Sequence, residues 1–280
     1  MTKLLLDQKK DTHNIVVVFA NTGCEHGGTL KFIKDCDDYW GFNTVWLEAV
    51  RDERKGFGTR HKIVNFETAS RNGEPFEEAI KKHGIFNSAR PSCTSYLKTE
   101  VIESYLKSIG FFRGKKINYQ TAIGIRADEI DRMSVHREKN GIIYPLIDLG
   151  YKKEDVIEFM LKAPFDLNIP ENMGNCVWCW KKSFRVLIDI AKKHPEAFDF
   201  PKKMEEIYGI HPTLKWEKEK RREDGKMTFF RGCKSANDIF EMAKDPKYNP
   251  IQTEGFKFDD FLDKSSSCSE SCEVYPTDGS

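Results

Sequence analysis

The sequence predicts an α/β protein in which helices cover a mostly parallel sheet. Residues 15–20 form an unbroken apolar run that is largely β-branched and flanked by polar residues, which is typical of a strand buried on both faces. A helical pattern over residues 28–40 and a second strand pattern over residues 43–48 follow this run. A strand, a helix and a strand in this order indicate an α/β crossover unit.

The other elements follow from the same periodicities. Apolar residues spaced three and four apart predict helices, whereas short apolar runs between polar turns predict strands. The further helices cover residues 1–10, 74–83, 94–109, 152–162 and 183–194, the further strands cover 61–66 and 117–125, and a short extended segment covers 144–148. We expect Thr29 to cap the helix over 28–40 and Gly110 to end the helix over 94–109.

Composition divides the chain into three parts. Residues 1–165 alternate strand and helix patterns and predict an α/β domain. Residues 166–255 predict a helical C-terminal lobe that contains a pair of cysteines. Residues 256–280 are rich in serine and acidic residues, which is typical of a flexible tail.

Length, charge and hydropathy exclude several classes of protein. The 280 residues can bury a large core, and 45 Lys and Arg against 44 Asp and Glu create no global field that attracts nucleic acid or an anionic membrane. The longest purely apolar run, residues 15–20, is far shorter than the ~20 residues of a membrane helix, and the N-terminus shows no secretory pattern. We therefore expect a cytoplasmic protein without a membrane partner.

The eight cysteines are too few for a disulfide scaffold, and in a reducing compartment clustered cysteines indicate metal, cluster or redox chemistry. Cys176 and Cys179 form a C-x-x-C motif, which allows two thiolates to face one ion or cluster from a single turn. Val177, Trp178 and Trp180 around them would exclude water. A zinc half-site, a dithiol and a pair of buried, inert cysteines are the other interpretations of this motif.

Cys93 lies at a predicted helix start, where backbone N–H groups and the helix dipole favour a thiolate. Together with Cys176 and Cys179, it would suit an iron–sulfur cluster with one non-protein or distant ligand, or a zinc ion with a fourth ligand. The candidates for the fourth position are Cys24, Cys233, Cys268 and Cys272.

Two loops follow predicted strands, where open α/β sheets bind their ligands. Arg126, in the loop 124–129, is a candidate phosphate-binding fork, although a turn with an ordinary surface ion pair explains the pattern equally well. The loop 21–25 follows the strand over 15–20 and has a simple helix-entry turn as its alternative. The basic run 215–222 could contact RNA, but its interleaved glutamates favour a solvated helical face.

Four motifs taken in order resemble a known family. They are Phe19-Ala-Asn-Thr-Gly-Cys-Glu25 with Thr29, Pro91-Ser-Cys-Thr94, Gly124-Ile-Arg-Ala-Asp-Glu129 and Gly174-Asn-Cys-Val-Trp-Cys179. Over residues 10–235 the chain resembles the phage-type phosphoadenosine phosphosulfate (PAPS) reductase-like branch of the adenine nucleotide alpha hydrolases, the PP-loop superfamily. The resemblance implies a doubly wound sheet that binds an adenine nucleotide, ATP or PAPS, with Thr22, Gly23 and Arg126 lining the site. It also implies that Cys93, Cys176 and Cys179 are grouped in space, where a 4Fe–4S cluster or zinc would bind, and that the protein works in a host cytoplasm.

The chain departs from the family in its first element. The family's Ser-Gly-Gly phosphate loop is not in this sequence, and Gly27-Gly28 follows the next strand and is not its equivalent. A strand that is central in this topology is also missing, which would leave neighbouring strands with unpaired backbone groups and an exposed apolar slot. We expect either an upstream segment or another chain, a second copy included, to fill this gap.

The second departure is chemical. The chain has no late Glu-Cys-Gly-Leu/Ile-His motif to supply the nucleophilic thiol of a sulfonucleotide reductase, and Ser92 stands where cluster-binding relatives have a second cysteine. The leading hypothesis is a nucleotide-binding iron–sulfur protein acting in sulfur or nucleotide chemistry, an oxidoreductase by resemblance. The alternatives are an ATP-dependent sulfurtransferase that thiolates RNA or DNA, and a non-catalytic relative that binds a partner or a nucleotide.

Overall fold

The structure is a computed structural model that describes residues 1–51, 58–113, 116–117, 119–170, 172–210 and 224–246. Its helices are α1 Thr2–Lys9, α2 Gly27–Trp40, α3 Glu74–His83, α4 Glu100–Ser108, α5 Pro145–Asp148, α6 Lys153–Met160, α7 Phe184–Lys193, α8 Asp199–Tyr208 and α9 Ala236–Lys244. Its strands are β1 Val18–Asn21, β2 Val45–Arg51, β3 Thr59–Val64, β4 Phe112–Arg113, β5 Lys116–Ile117, β6 Thr121–Ala122 and β7 Ile142–Ile143. The basic run 215–222, the tail 256–280, Cys268 and Cys272 lie outside the described residues.

The described strands form three small sheets and not one large sheet. In the first, β1 pairs with β2 in parallel, with Val18 opposite Val45, and β3 pairs with β2 antiparallel. In the second, β6 pairs with β7 in parallel, with Thr121 opposite Ile142. In the third, β4 and β5 form an antiparallel pair. The α/β class is therefore confirmed, whereas the doubly wound, mostly parallel sheet is not: β3 runs antiparallel, and β6–β7 is hydrogen-bonded separately from β1–β2.

The amphipathic patterns located the helices well, and the short strands less well. Helices α2, α3 and α7 lie where the periodicity predicts them, whereas the strand over 15–20 is shifted to β1. The extended segment predicted over 144–148 is wrong, because Pro145 stands in the first turn of a helix, where its fixed φ is favourable and its missing N–H costs nothing. The cap prediction at Thr29 is also wrong, since the His26 ring accepts the Gly28 N–H at 3.0 Å and α2 begins at Gly27.

The helix predicted over 94–109 changes its winding along its length. A π-helical turn, Ser95–Thr99, precedes α4, and residues 93 and 94 are already helical. Such turns are frequent at functional sites. Leu97 and Val101 are buried on the same face, which packs this helix onto β3 and β2.

One large core joins the first sheet to the C-terminal helices. It contains Leu47 of β2, Ile80 of α3, Leu97, Trp178 and Leu187 of α7, each 2% exposed or less. Because the helices that follow residue 166 share this core with the sheet, a separate Cys-containing lobe is not shown. A small second cluster of Ile125, Ile142 and Tyr144 lies under β6 and β7.

Within the described ranges, no helix has both the length and the apolar character that crossing a membrane requires.

Candidate functional site

The loop after β1 is held by two carboxylates, those of the half-buried Glu25 and the buried Glu48. Thr22 donates its N–H and its hydroxyl to the Glu25 carboxylate at 3.0 and 2.9 Å, which ties the loop back on itself. Asn21 donates its side-chain amide to the buried Glu48 at 2.7 Å. Glu48 also accepts the backbone N–H and the hydroxyl of Ser70, at 2.6 and 3.0 Å, so its charge is balanced by hydrogen bonds.

Gly23 is required by close packing of the backbone. Its φ is +77°, and the Gly73 N–H donates to its carbonyl at 2.9 Å. A Cβ at position 23 would lie 3.0 Å from the backbone of Gly73, and one at position 73 would lie 2.3 Å from the Phe200 ring. Thr22 and Gly23 are both buried, so they support the loop from the interior of the protein.

The C-x-x-C motif folds into a tight turn. The Cys179 N–H donates to the Cys176 carbonyl at 3.0 Å, and the Lys182 N–H donates to the Cys179 carbonyl at 3.0 Å. The ammonium of Lys182 is buried and donates to the carbonyls of Gly174, Cys176 and Val177 at 3.1, 2.7 and 3.0 Å. This cation neutralises carbonyl dipoles that would otherwise be buried without partners.

Trp178, between the two cysteines, anchors the turn in the large core. Its ring stacks on Phe200 at 5.4 Å between centroids and meets the edges of Phe76 and Phe229 at 5.1 and 4.9 Å. Trp180 is also buried. The prediction that tryptophans exclude water from this side of the cysteines is consistent with that packing.

The loop after β1 and the cysteine turn meet directly. The Val177 N–H donates to the Cys24 carbonyl at 3.1 Å, and Glu25 and Cys176 form an antiparallel bridge. The Thr22 hydroxyl lies 3.6 Å from the Cys176 sulfur. Two of the four motifs, 154 residues apart in sequence, therefore form one site.

The electrostatics of this site favour neutral thiols. Burial and then the Glu25 carboxylate raise the pKa of the Cys176 thiol well above its ordinary value, while Lys98 acts in the opposite direction. Burial, with Cys176 and Glu25 as further causes, also raises the pKa of Cys24. A bound metal ion would reverse this preference, because coordination deprotonates a thiol.

Cys93 packs against the same large core as Cys176. It is half-buried at the start of the helix that includes Lys98. The charge of Lys98, which lies five residues after Cys93, acts on the Cys176 thiol. Across the residues that the structure describes, however, no three His, Cys, Asp or Glu side chains are grouped so that they could hold a metal ion.

Arg126 is held by its own loop. Its guanidinium forms ion pairs with Asp128 at 3.0 Å and Glu129 at 3.2 Å. The hydrogen bond and charge of Arg126 lower the pKa of Asp128. A phosphate at Arg126 would have to compete with these two carboxylates.

The N-terminus of α2 is also occupied by groups of the chain itself. His26 accepts the Gly28 N–H, and a Cβ at Gly28 would lie 2.7 Å from the Asn168 carbonyl oxygen and from Ile169. Gly28 is therefore required by packing.

Comparison with known proteins relates the whole chain to a phage protein. A protein of Escherichia phage lambda, the uncharacterized nin region protein ORF290, is 31% identical over 278 residues, which cover 97% of this chain and 89% of ORF290. The chain belongs to the ORF290 family. No protein-family model matches the sequence, and no solved structure matches it. Because the ORF290 match covers nearly the whole chain, it extends through both the loop after β1 and the cysteine turn.

The roles of three residues that position the site were not predicted from the sequence of this ORF290-family protein. Glu25 binds Thr22, Lys182 holds the cysteine turn, and Glu48 anchors Asn21. Lys182 stands three residues after Cys179, and Glu25 three after Thr22, so spacing was the available signal. Glu48 gave no signal, because its partners come from other parts of the chain.

Proposed function

We propose that this protein is a PAPS reductase-like adenine-nucleotide-binding iron–sulfur protein that acts in sulfur or nucleotide chemistry. The contact of 3.6 Å between the Thr22 hydroxyl and the Cys176 sulfur carries the proposal. It joins the loop assigned to the nucleotide with the turn assigned to the metal, as the resemblance requires. The nucleotide would bind on the solvent side of this contact, where Glu25 and His26 are partly exposed and Asn175 is exposed.

The three cysteines have the chemistry that an iron–sulfur cluster requires, but only Cys176 and Cys179 lie together in one turn. Cys176 and Cys179 share one hydrogen-bonded turn, and thiolates are the usual ligands of such clusters. Cys93 would be the third ligand. A cluster bound there would supply electron transfer or, through an iron without a protein ligand, a binding site for sulfur.

The residues of the chain prepare this site in three ways. Lys182 holds the carbonyls of the turn, so that the two cysteines keep a fixed separation. Trp178 excludes water from the side of the cysteine turn that faces the large core. Lys98 offsets the negative charge of Glu25 near Cys176 and would stabilise thiolates or an anionic substrate there.

Anaerobic purification with iron and sulfide analysis tests the proposal. We expect a brown protein with absorbance near ~400 nm, and loss of this absorbance in Cys176→Ser, Cys179→Ser and Cys93→Ser. Cys36→Ala is the matched control: Cys36 is buried on α2, where burial raises the pKa of its thiol to about 11, and this variant should keep the cluster. A colourless protein with stoichiometric zinc, or colour that survives Cys176→Ser, would contradict the cluster.

Two observations favour a second candidate, a relative that binds a nucleotide or a partner without turnover. The N-terminus of α2 is capped by His26, and Arg126 is paired with Asp128 and Glu129, so the usual phosphate-binding groups are already engaged. Calorimetric titration with ATP and PAPS separates the two functions. A relative that acts by binding a partner should bind both nucleotides with dissociation constants no better than about 1 mM, and micromolar binding of either nucleotide would contradict that role.

A further inference from the structure

A large cleft lies between the two parallel strand pairs, away from the cysteine turn. Its volume is about 1050 Å³, slightly above the usual range of small-molecule pockets, which reaches ~1000 Å³. Residues 14–18, at the beginning of β1, line one part, and residues 119–124, which include β6, line another. The helices α1 and α4 contribute Met1, Leu5, Ile102 and Leu106 to its walls.

The hydrogen-bond pattern shows that both strands present a backbone edge to this cleft. In a parallel pair, alternate residues of a strand direct both N–H and C=O toward the partner, and those between direct them away. Val17 accepts from the Val45 N–H, and Ile123 donates to the Ile143 carbonyl, so these residues face β2 and β7. The N–H and C=O of Val18 and Ala122 therefore point into the cleft that both residues line.

The surroundings define the chemistry of the occupant. Two strand edges on one cleft match the donors and acceptors of an extended polypeptide, since a strand directs its backbone groups to both sides. Helices α1 and α4 both offer apolar side chains to the cleft, Leu5 from α1 and Ile102 and Leu106 from α4, so an inserted strand would pack apolar side chains against them. Helix α1 itself has Leu4, Leu5 and Leu6 but no buried residue, as expected for a helix whose packing partner is absent.

We propose that this cleft is an acceptor site for one extended, apolar, β-branched segment of a different protein, which binds between β1 and β6 and joins the two sheets. A second copy of this chain is a poorer donor, because the apolar runs of β1 and β2 are already part of its own sheet. None of the described cysteines lines this cleft, although Gly124, the first residue of the loop that contains Arg126, does.

Binding of a designed peptide to the full-length protein tests the proposal. The probe is fluorescein-labelled Lys-Lys-Val-Ile-Val-Val-Ala-Lys-Lys, and its control carries proline in place of the central valine, which removes one N–H and breaks the strand. We expect the probe to bind at least about tenfold more tightly than the control and to slow hydrogen exchange of the Val18 and Ala122 amides. Equal binding of the two peptides, or no binding, would overturn the proposal.

Two protein variants locate the binding site. Ile102→Trp fills the cleft from α4 and should weaken probe binding at least about tenfold, whereas Ile157→Trp, on the exposed side of α6, should leave it unchanged. Equal effects of the two variants would place the probe elsewhere and contradict the proposal. Sedimentation at several protein concentrations tests a second copy as the occupant: a dimer that Ile102→Trp dissociates would assign the cleft to that copy and overturn the proposal. Cluster absorbance is the separate readout of the proposed function, and it should not change in Ile102→Trp.

Discussion

The two loops that follow parallel strands are held in different ways. The loop after β1 is buried, and its bonds reach residues far away in sequence, such as Asn21 to Glu48 and Thr22 to Cys176. The loop after β6 is bound mainly by neighbours, with Arg126 paired to Asp128 and Glu129. The first loop therefore depends on the large core, whereas the second is a local structure above a small cluster.

This difference has an energetic consequence. Buried hydrogen bonds to charged groups are each worth ~1.5–3 kcal/mol, and removing one partner leaves the other buried and unsatisfied. Exposed ion pairs between neighbouring residues contribute ~0–1 kcal/mol. Substitutions in the first loop and its cysteine turn should thus lower the free energy of unfolding far more than equivalent substitutions in the second.

The largest expected effect comes from the aromatic anchor of the cysteine turn. Trp178→Ala removes a ring that is 2% exposed and contacts three other rings, so we expect a loss of ~3–5 kcal/mol in the free energy of unfolding. Urea denaturation followed by circular dichroism measures this loss. A loss below about 1 kcal/mol would show that the turn is not part of the cooperative core.

Two cations, Lys182 in the cysteine turn and Arg126 in the loop after β6, give the most direct comparison between the two regions. Lys182→Met leaves three buried carbonyls without their donor and should cost about 3 kcal/mol. Arg126→Met removes the same charge from the loop after β6 and should cost less than about 1 kcal/mol. Both variants are measured by the same denaturation experiment, and equal losses would contradict the distinction between the loops.

The same contrast explains what the sequence could predict. Helix α3 was predicted from its amphipathic period, with Gly on either side, and the Cys176–Cys179 turn from its spacing, since both depend on residues close in sequence. The orientation of β3, the split between the two parallel pairs and the role of Glu48 depend on contacts between distant segments, which periodicity does not encode. The contact between Thr22 and Cys176 likewise joins distant segments.

Removal of one hydroxyl should have a smaller effect. Thr22→Val deprives the Glu25 carboxylate of a donor and the Cys24 N–H of its acceptor at 3.3 Å, so we expect a loss of ~1–2 kcal/mol. Thr12→Val is the matched control, because its hydroxyl donates to the Lys9 carbonyl on an exposed turn. A shift in the urea midpoint for Thr12→Val as large as that for Thr22→Val would contradict the assignment.

The smallest effect is a pH dependence in the loop after β6. The hydrogen bond from Arg126 lowers the pKa of Asp128 in the folded protein, so the pair contributes stability above the unfolded pKa of about 3.9 and loses it as the pH falls through the lower folded pKa. Because Asp128 is exposed, this contribution is at most about 1 kcal/mol. Asp128→Asn should therefore be slightly less stable than the unsubstituted protein at pH 7, and this difference should be smaller at pH 3, below the unfolded pKa. If the difference in unfolding free energy between the two proteins is the same at both pH values, a contact other than the ion pair holds this loop.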